Sequence, residues 1–214
     1  MGRVIGLTGG IATGKSTVAR MLTARGAQLV DADAIVRELQ APGQPLLAEI
    51  AAAFGPRVLH GDGSLDRKAL GAIVFADAEA RALLGRLTGG PVVRELTRRT
   101  EEARHSRAPL VIVDIPLFFE GSASGRAAEG RPLPYGVEGV ILVYAPEALQ
   151  IERQMRRDGA TALHAAQRLG AQMPIEAKRE LADWVIDNSG SLKETERQVE
   201  ALLTRLGLVP EAAP

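Results

Sequence analysis

Cysteine does not occur in this 214-residue chain. Its absence removes disulfides, thiolate metal sites and a cysteine nucleophile together, and fits a reducing compartment. Net charge is missing too: 26 lysines and arginines face 26 aspartates and glutamates. No overall field is left to hold a nucleic-acid backbone, so any anion must be bound by local geometry. No apolar run approaches the roughly 20 residues of a membrane span. The opening residues 1–7 meet Gly9 and Gly10 too soon to form a signal peptide. The expectation is a soluble, cytoplasmic protein without nucleic-acid or membrane partners, its oligomeric state left open. Lysine is scarce, with Lys15, Lys68, Lys178 and Lys193 standing in a chain that otherwise uses arginine. The 46% of hydrophobic residues suffices for the core of one α/β unit with an insertion.

What is present begins near the amino terminus. Residues 3–8 form a short apolar run, followed by Gly9, Gly10, Ile11, Ala12, Thr13, Gly14, Lys15, Ser16 and Thr17. This is the phosphate-loop pattern G-x-x-x-x-G-K-S. Val18, Met21, Leu22 and Arg25 then repeat at helical spacing, which sets the loop between a strand and a helix as the motif requires. A loop that wraps a triphosphate turns its backbone N–H groups inward, and Gly9 and Gly14 are expected to supply the needed backbone freedom. The helix opening near Lys15 adds unsatisfied amides and the positive end of its dipole. Lys15 is expected to reach the β and γ phosphates, and Ser16 to place its hydroxyl on Mg²⁺. A chain that prefers arginine and keeps a lysine here needs a compact point charge.

Further landmarks follow in chain order. Residues 27–33 read as a second strand ending in Asp31 and Asp33, which on a period of two point the same way; either could face the transferred phosphate or cap the next helix. Residues 34–108 are mostly helical in pattern, with a Gly61-Asp62-Gly63 turn and Asp66 as the cap of a helix over 67–75. Arg67 could bind a substrate phosphate or merely cover that helix. Arginines and glutamates between Arg94 and Arg107 read as a solvated helix laced with ion pairs. Residues 109–113 form an apolar strand closed by Asp114, an acid suited to orienting magnesium waters. Residues 121–136, rich in glycine, serine and arginine, read as a mobile loop. A fourth strand is expected over 137–144 and a helix over 147–157, on which Arg153 and Arg157 lie one turn apart and could serve one anion. Residues 158–177 could close over a nucleotide as a lid. A fifth strand over 184–187 leads through Asn188, Ser189 and Gly190 into a final amphipathic helix.

In sum, these residues closely resemble the dephospho-CoA kinase family over nearly the whole chain. The matching stretches run from Gly6 to Thr17, Asp31 to Asp33, Gly63 to Arg67 with Val74 and Phe75, Asp114 to Glu120, Gln150 with Arg153, Arg157 with Asp158, and Ala182 and Asp183 with Ile186 to Asn188. The resemblance implies a three-layer α/β P-loop NTPase fold with a five-stranded parallel sheet. Residues 1–33, 109–150 and 179–208 would form the nucleotide-binding core, 34–108 a helical substrate-binding insertion, 151–178 a short lid and 209–214 a loose tail. It also implies transfer of the ATP γ-phosphoryl group to the ribose 3′-hydroxyl of dephospho-CoA. Asp33, Lys15 and Arg157 would be catalytic. Gly10, Ile11, Ala12, Thr13, Gly14, Lys15, Ser16, Thr17, Arg153 and Asn188 would bind ATP. Asp33, Arg67 and Leu117 would meet the substrate, with Ser16 and, through water, Asp114 at Mg²⁺. Where the family usually carries His-Pro, this chain has Gly90-Pro91, and the loop over 121–136 looks longer than the family's.

Two rivals share the loop. A nucleoside monophosphate kinase has the same fold and lid arginines, and only the segments around Asp31 and Asp114 speak against it. A guanine-nucleotide switch would need an Asn-Lys-x-Asp segment, whereas Asn188, the chain's one asparagine, is followed by Ser189.

Overall fold

The computed structural model describes residues 2–120 and 133–208. Most of the expected mobile loop, and the expected tail over 209–214, lie outside the described residues. The chain divides into two compact units, one made of the residues up to Val30 and from Thr100 onward, the other spanning Asp31–Arg99.

The first unit is built on an all-parallel five-stranded sheet in the order β2-β3-β1-β4-β5. Its strands are β1 (Arg3–Gly9), β2 (Gln28–Asp31), β3 (Leu110–Asp114), β4 (Val140–Tyr144) and β5 (Trp184–Asp187). β1 lies centrally, with Leu7 opposite Asp114 on β3 and Ile141 on β4. The buried strands read as continuous apolar runs because both sheet faces are covered. On one face Ile5, Leu7, Ile112, Ile141, Val143 and Ile186 pack against Val18 and Leu22 of α1 (Lys15–Thr23) and Val199, Leu202 and Leu203 of α9 (Leu192–Arg205). On the other, Leu142 and Tyr144 meet Ile175 of α8 (Ile175–Leu181). Burying each such Leu or Ile is worth about 1.5–3 kcal/mol. α6 (Glu147–Asp158) and α7 (Ala162–Gly170) complete the unit. α9 opens on a capping box, with Ser191 accepting from the Glu194 N–H and Glu194 accepting from Ser191.

The second unit is helical: α2 (Ala32–Leu39), α3 (Pro45–Phe54), α4 (Arg67–Ala76) and the greater part of α5 (Ala78–Arg104). Leu46, Leu47, Ile50, Phe54, Val58, Leu65 and Leu70 form its own core, which is what lets it stand as a unit. Asp66 caps α4 as expected, accepting from the N–H groups of Lys68 and Ala69. The ion-pair lacing of α5 is present: Glu95 accepts from Arg98 and Arg99, which hold its carboxyl down at about 2. α5 continues through Gly89, Gly90 and Pro91. Among the described residues no helix is long and apolar enough to cross a membrane.

One expectation is corrected here. β2 stops at Asp31 rather than running to Asp33, because the Asp31 carboxylate accepts the Ala34 N–H at 3.0 Å and caps α2. Asp33 therefore sits in the first helical turn, and the two acids do not share a strand face.

Candidate active site

The strand-to-helix turn after β1 is shaped by close approaches. A side chain at Gly9 would come within 2.6 Å of Thr13 Oγ1 and 3.0 Å of the Val143 carbonyl, so the position is glycine for want of room. Gly14, the N-cap of α1, takes φ 91°, and a Cβ there would meet Asn188 Nδ2 at 2.0 Å. Of the two glycines expected to supply backbone freedom Gly14 takes a positive φ and Gly9 does not, while Ala12 does, at φ 59°. For a residue with a Cβ this costs about 1–2 kcal/mol, so the surroundings must impose it.

They do so through Thr13, which is fully buried. Its hydroxyl donates to the Gly10 carbonyl at 2.9 Å. Its carbonyl accepts from Asn188 Nδ2 at 2.7 Å and Arg153 Nη1 at 3.3 Å. Arg153 also donates to the Asn188 carbonyl at 2.8 Å, and Thr195 donates to Asn188 Oδ1 at 2.9 Å. In a trans peptide C=O and N–H point in opposite directions. Holding the Thr13 carbonyl on β5's side of the loop therefore aims the Gly14 N–H the other way, into the turn, where it adds to the amides that open α1. Arg153 and Asn188 thus both hold the Thr13 carbonyl of the loop.

Lys15, in the first turn of α1, pairs with Asp114 at the carboxyl end of β3. Asp114 is 6% exposed. Ser16 beside it is exposed. The two arginines one turn apart on α6 take different partners. Arg153 is spent on the loop, while exposed Arg157 forks onto Asp158 at 2.7 and 2.9 Å. Arg168 of α7 joins the same carboxylate at 2.9 Å. Arg157 and then Arg168 hold the Asp158 carboxyl down at about 2. Leu117, just past Asp114, is 50% exposed. In the helical unit Asp33 is exposed, Asp31 is engaged in its cap, and Arg67 donates to Gln40 at 2.7 Å.

Three further residues were given no role by the sequence reading, Gln150 having entered only as part of the family resemblance. Gln172, between α7 and α8, accepts the Ile11 N–H at 3.1 Å. Gln150 of α6 is buried beside Gly10, where a Cβ would lie 2.5 Å from its Oε1. Lys178 of α8, fully buried, pairs with Glu120 at 2.6 Å. Lysine scarcity is the signal that could have singled out Lys178 as it did Lys15.

A parallel sheet whose central strand runs into an amide-lined turn, closed by a helix that opens on Lys15, defines a P-loop protein of the kinase type. The family model described as dephospho-CoA kinase matches residues 3–194. A dephospho-CoA kinase of Anaeromyxobacter dehalogenans is 48% identical over 95% of this chain and 92% of its own length. One from Halalkalibacterium halodurans is 42% identical over 97% of this chain and 98% of its own. The crystal structure of TT1252 from Thermus thermophilus matches with a TM-score of 0.78 at 36% identity, covering 96% of this chain and 98% of that one. The chain belongs to the dephospho-CoA kinase family.

Proposed function

We propose that this chain transfers the γ-phosphoryl group of ATP to the ribose 3′-hydroxyl of dephospho-CoA, completing coenzyme A, with Lys15, Asp33 and Arg157 as its catalytic residues. The observation that carries the reading is the loop from Gly10 to Thr17, with the Gly14 peptide pinned by Arg153 and Asn188, in a chain of this family. Loop amides hold the β-phosphate, and Lys15 exchanges Asp114 for phosphate oxygens. Asp33 accepts or orients the hydroxyl proton as the ribose oxygen attacks phosphorus and ADP departs. Support for Asp33 over Asp31 comes from the cap, which occupies the Asp31 carboxylate. Arg157 leaves Asp158 as the segment around α7 closes, and stabilises charge on the transferred phosphoryl oxygens. Arg67 and Leu117 belong to the dephospho-CoA side.

Magnesium fits the donors present. Among the described residues no group of three His, Cys, Asp or Glu side chains could cage a metal. Magnesium needs no such cage, since phosphates and water supply most of its ligands. The Ser16 hydroxyl would hold the ion and Asp114 would reach it through water. When bound, the ion supplies charge neutralisation between the β and γ phosphates.

The test is a coupled assay of ADP release with Mg²⁺, ATP and a panel of acceptors. Dephospho-CoA is expected to be consumed with one CoA formed per ADP. Turnover of AMP or shikimate, with none of dephospho-CoA, would refute the substrate.

A further inference from the structure

The segment that follows α7 is tied down twice within two residues. Gln172 Oε1 accepts the Ile11 N–H at 3.1 Å, and the Met173 N–H donates to Glu120 Oε1 at 3.2 Å. The same Glu120 oxygen lies 2.6 Å from Lys178 Nζ, which is wholly shielded from water. A buried lysine in a chain that otherwise uses arginine is expensive unless its partner is fixed, so the pair anchors Glu120 in one place. Glu120 ends the stretch that begins with Asp114, the partner of Lys15. The short path from Asp114 to Glu120, on to Met173, and through Gln172 to Ile11 thus joins β3, the base of α7 and the loop.

At the loop, the peptide between Gly10 and Ile11 is held from both ends. Its carbonyl accepts from the Thr13 hydroxyl at 2.9 Å and the Thr13 N–H at 3.3 Å, and its N–H is taken by Gln172. Gln150 backs it, lining with Gly10, Gln172 and Met173 a cavity of about 240 Å³. Arg153 and Asn188 fix the peptide between Thr13 and Gly14, while Gln172 fixes the opposite arm. With both arms set, the left-handed Ala12 between them has no freedom to relax.

The geometry points to Gln172 as a positioning residue for phosphoryl transfer. Its neutral amide carbonyl fixes the outer arm of the phosphate loop, and Glu120, held by Lys178, fixes Gln172. A neutral acceptor suits the place, because a carboxylate there would set negative charge beside the triphosphate. This inference rests on the kinase reading above.

The experiment compares the parent with Gln172→Met, which keeps length and bulk but cannot accept a hydrogen bond, and Gln172→Glu, which keeps the acceptor and adds charge. Gln172→Met is expected to lower kcat/KM for ATP about tenfold while KM for dephospho-CoA stays within about threefold, the split that a loosened nucleotide loop alone produces. The Ile11 amide resonance is expected to shift and to exchange faster in Gln172→Met, and to stay near its parent position in Gln172→Glu. Glu120→Leu with Lys178→Met, a neutral replacement of the pair, is expected to reproduce the Gln172→Met loss, and the triple variant to lose no more than either. A Gln172→Met enzyme within about twofold of the parent, or an unmoved Ile11 amide, would overturn the assignment. Losses that multiply in the triple variant would overturn the part given to Glu120. If the pair variant fails to fold, Gln172→Met decides alone. A parent that ignores dephospho-CoA would sink the substrate reading instead, and the Ile11 amide would still report on Gln172.

Discussion

The phosphate loop and the α7 segment answer opposite demands within one unit of the fold. The loop is held by side chains from α6, β5's end, α9 and the segment after α7: half-buried Arg153 and Gln172, and buried Asn188 and Thr195. α7 buries only Ala165 along its length, leaves Leu163 67% exposed, and is tied through Arg168 to an exposed carboxylate. Preorganised amides are worth most when they need not rearrange on binding. A closing segment must be held by contacts that exchange cheaply, and exposed ion pairs worth about 0–1 kcal/mol meet that need. The difference teaches why the proposed mechanism assigns binding strength to the loop and turnover to Arg157, which it brings in later.

The sharpest way to break this division is at Lys15. Lys15→Ala is expected to lower kcat/KM by about 1,000-fold in steady-state assays, with the fold intact by circular dichroism. Near-parent activity would remove the lysine from the chemistry. Arg157→Gln should fall on the other side of the comparison. It is expected to reduce kcat about 100-fold while calorimetry finds ATP affinity within about threefold, because the arginine acts only once the segment closes. An equal loss in binding would make Arg157 part of the preformed site. Asp33→Asn is expected to lower kcat by a similar factor of about 100, and unchanged turnover would return Asp33 to a first-turn helix residue.

Asn188→Leu probes the loop itself. It leaves the Thr13 carbonyl and the Thr195 hydroxyl short of a partner, at a cost of about 1–3 kcal/mol in denaturant unfolding. ATP affinity should drop about tenfold with kcat changed less, the mirror image of Arg157→Gln. The smallest effect concerns Asp158. Its folded-state carboxyl lies at about 2 against an ordinary 3.8, so its contribution is present above that ordinary value and is lost as the pH falls through about 2. Carbon-13 titration of Asp158 should show this depressed midpoint, and Arg157→Gln should return it most of the way. An undepressed midpoint in the parent would mean that the fork from Arg157 does not persist in solution.

What the sequence made legible follows from how local each feature is. The loop motif, the strand at 184–187 and the Asp66 cap depend on spacing within a few residues, and each was readable. β2 was read two residues past its carboxyl end because an acid at a strand end and an acid capping a helix look alike until the Ala34 N–H is seen to take Asp31. Arg153 and Arg157 share a helix face, which suggested one anion for both. In the structure they take different partners, Arg157 its neighbour Asp158 and Arg153 the loop and Asn188, which lies 35 residues from it in sequence. Nothing in helical periodicity encodes that meeting. Ala12 in a left-handed turn was illegible for the same reason, as the contacts that enforce it come from distant segments.

The central claim is that the loop from Gly10 to Thr17 is already set for a triphosphate while α7 is not. A crystal structure with Mg²⁺ and a non-hydrolysable ATP analogue tests it directly. The account predicts triphosphate density against the loop amides, loop Cα positions within about 1 Å of those described, and a displacement of α7 above about 2 Å. An empty loop, or one that refolds around the nucleotide while α7 stays still, would contradict it.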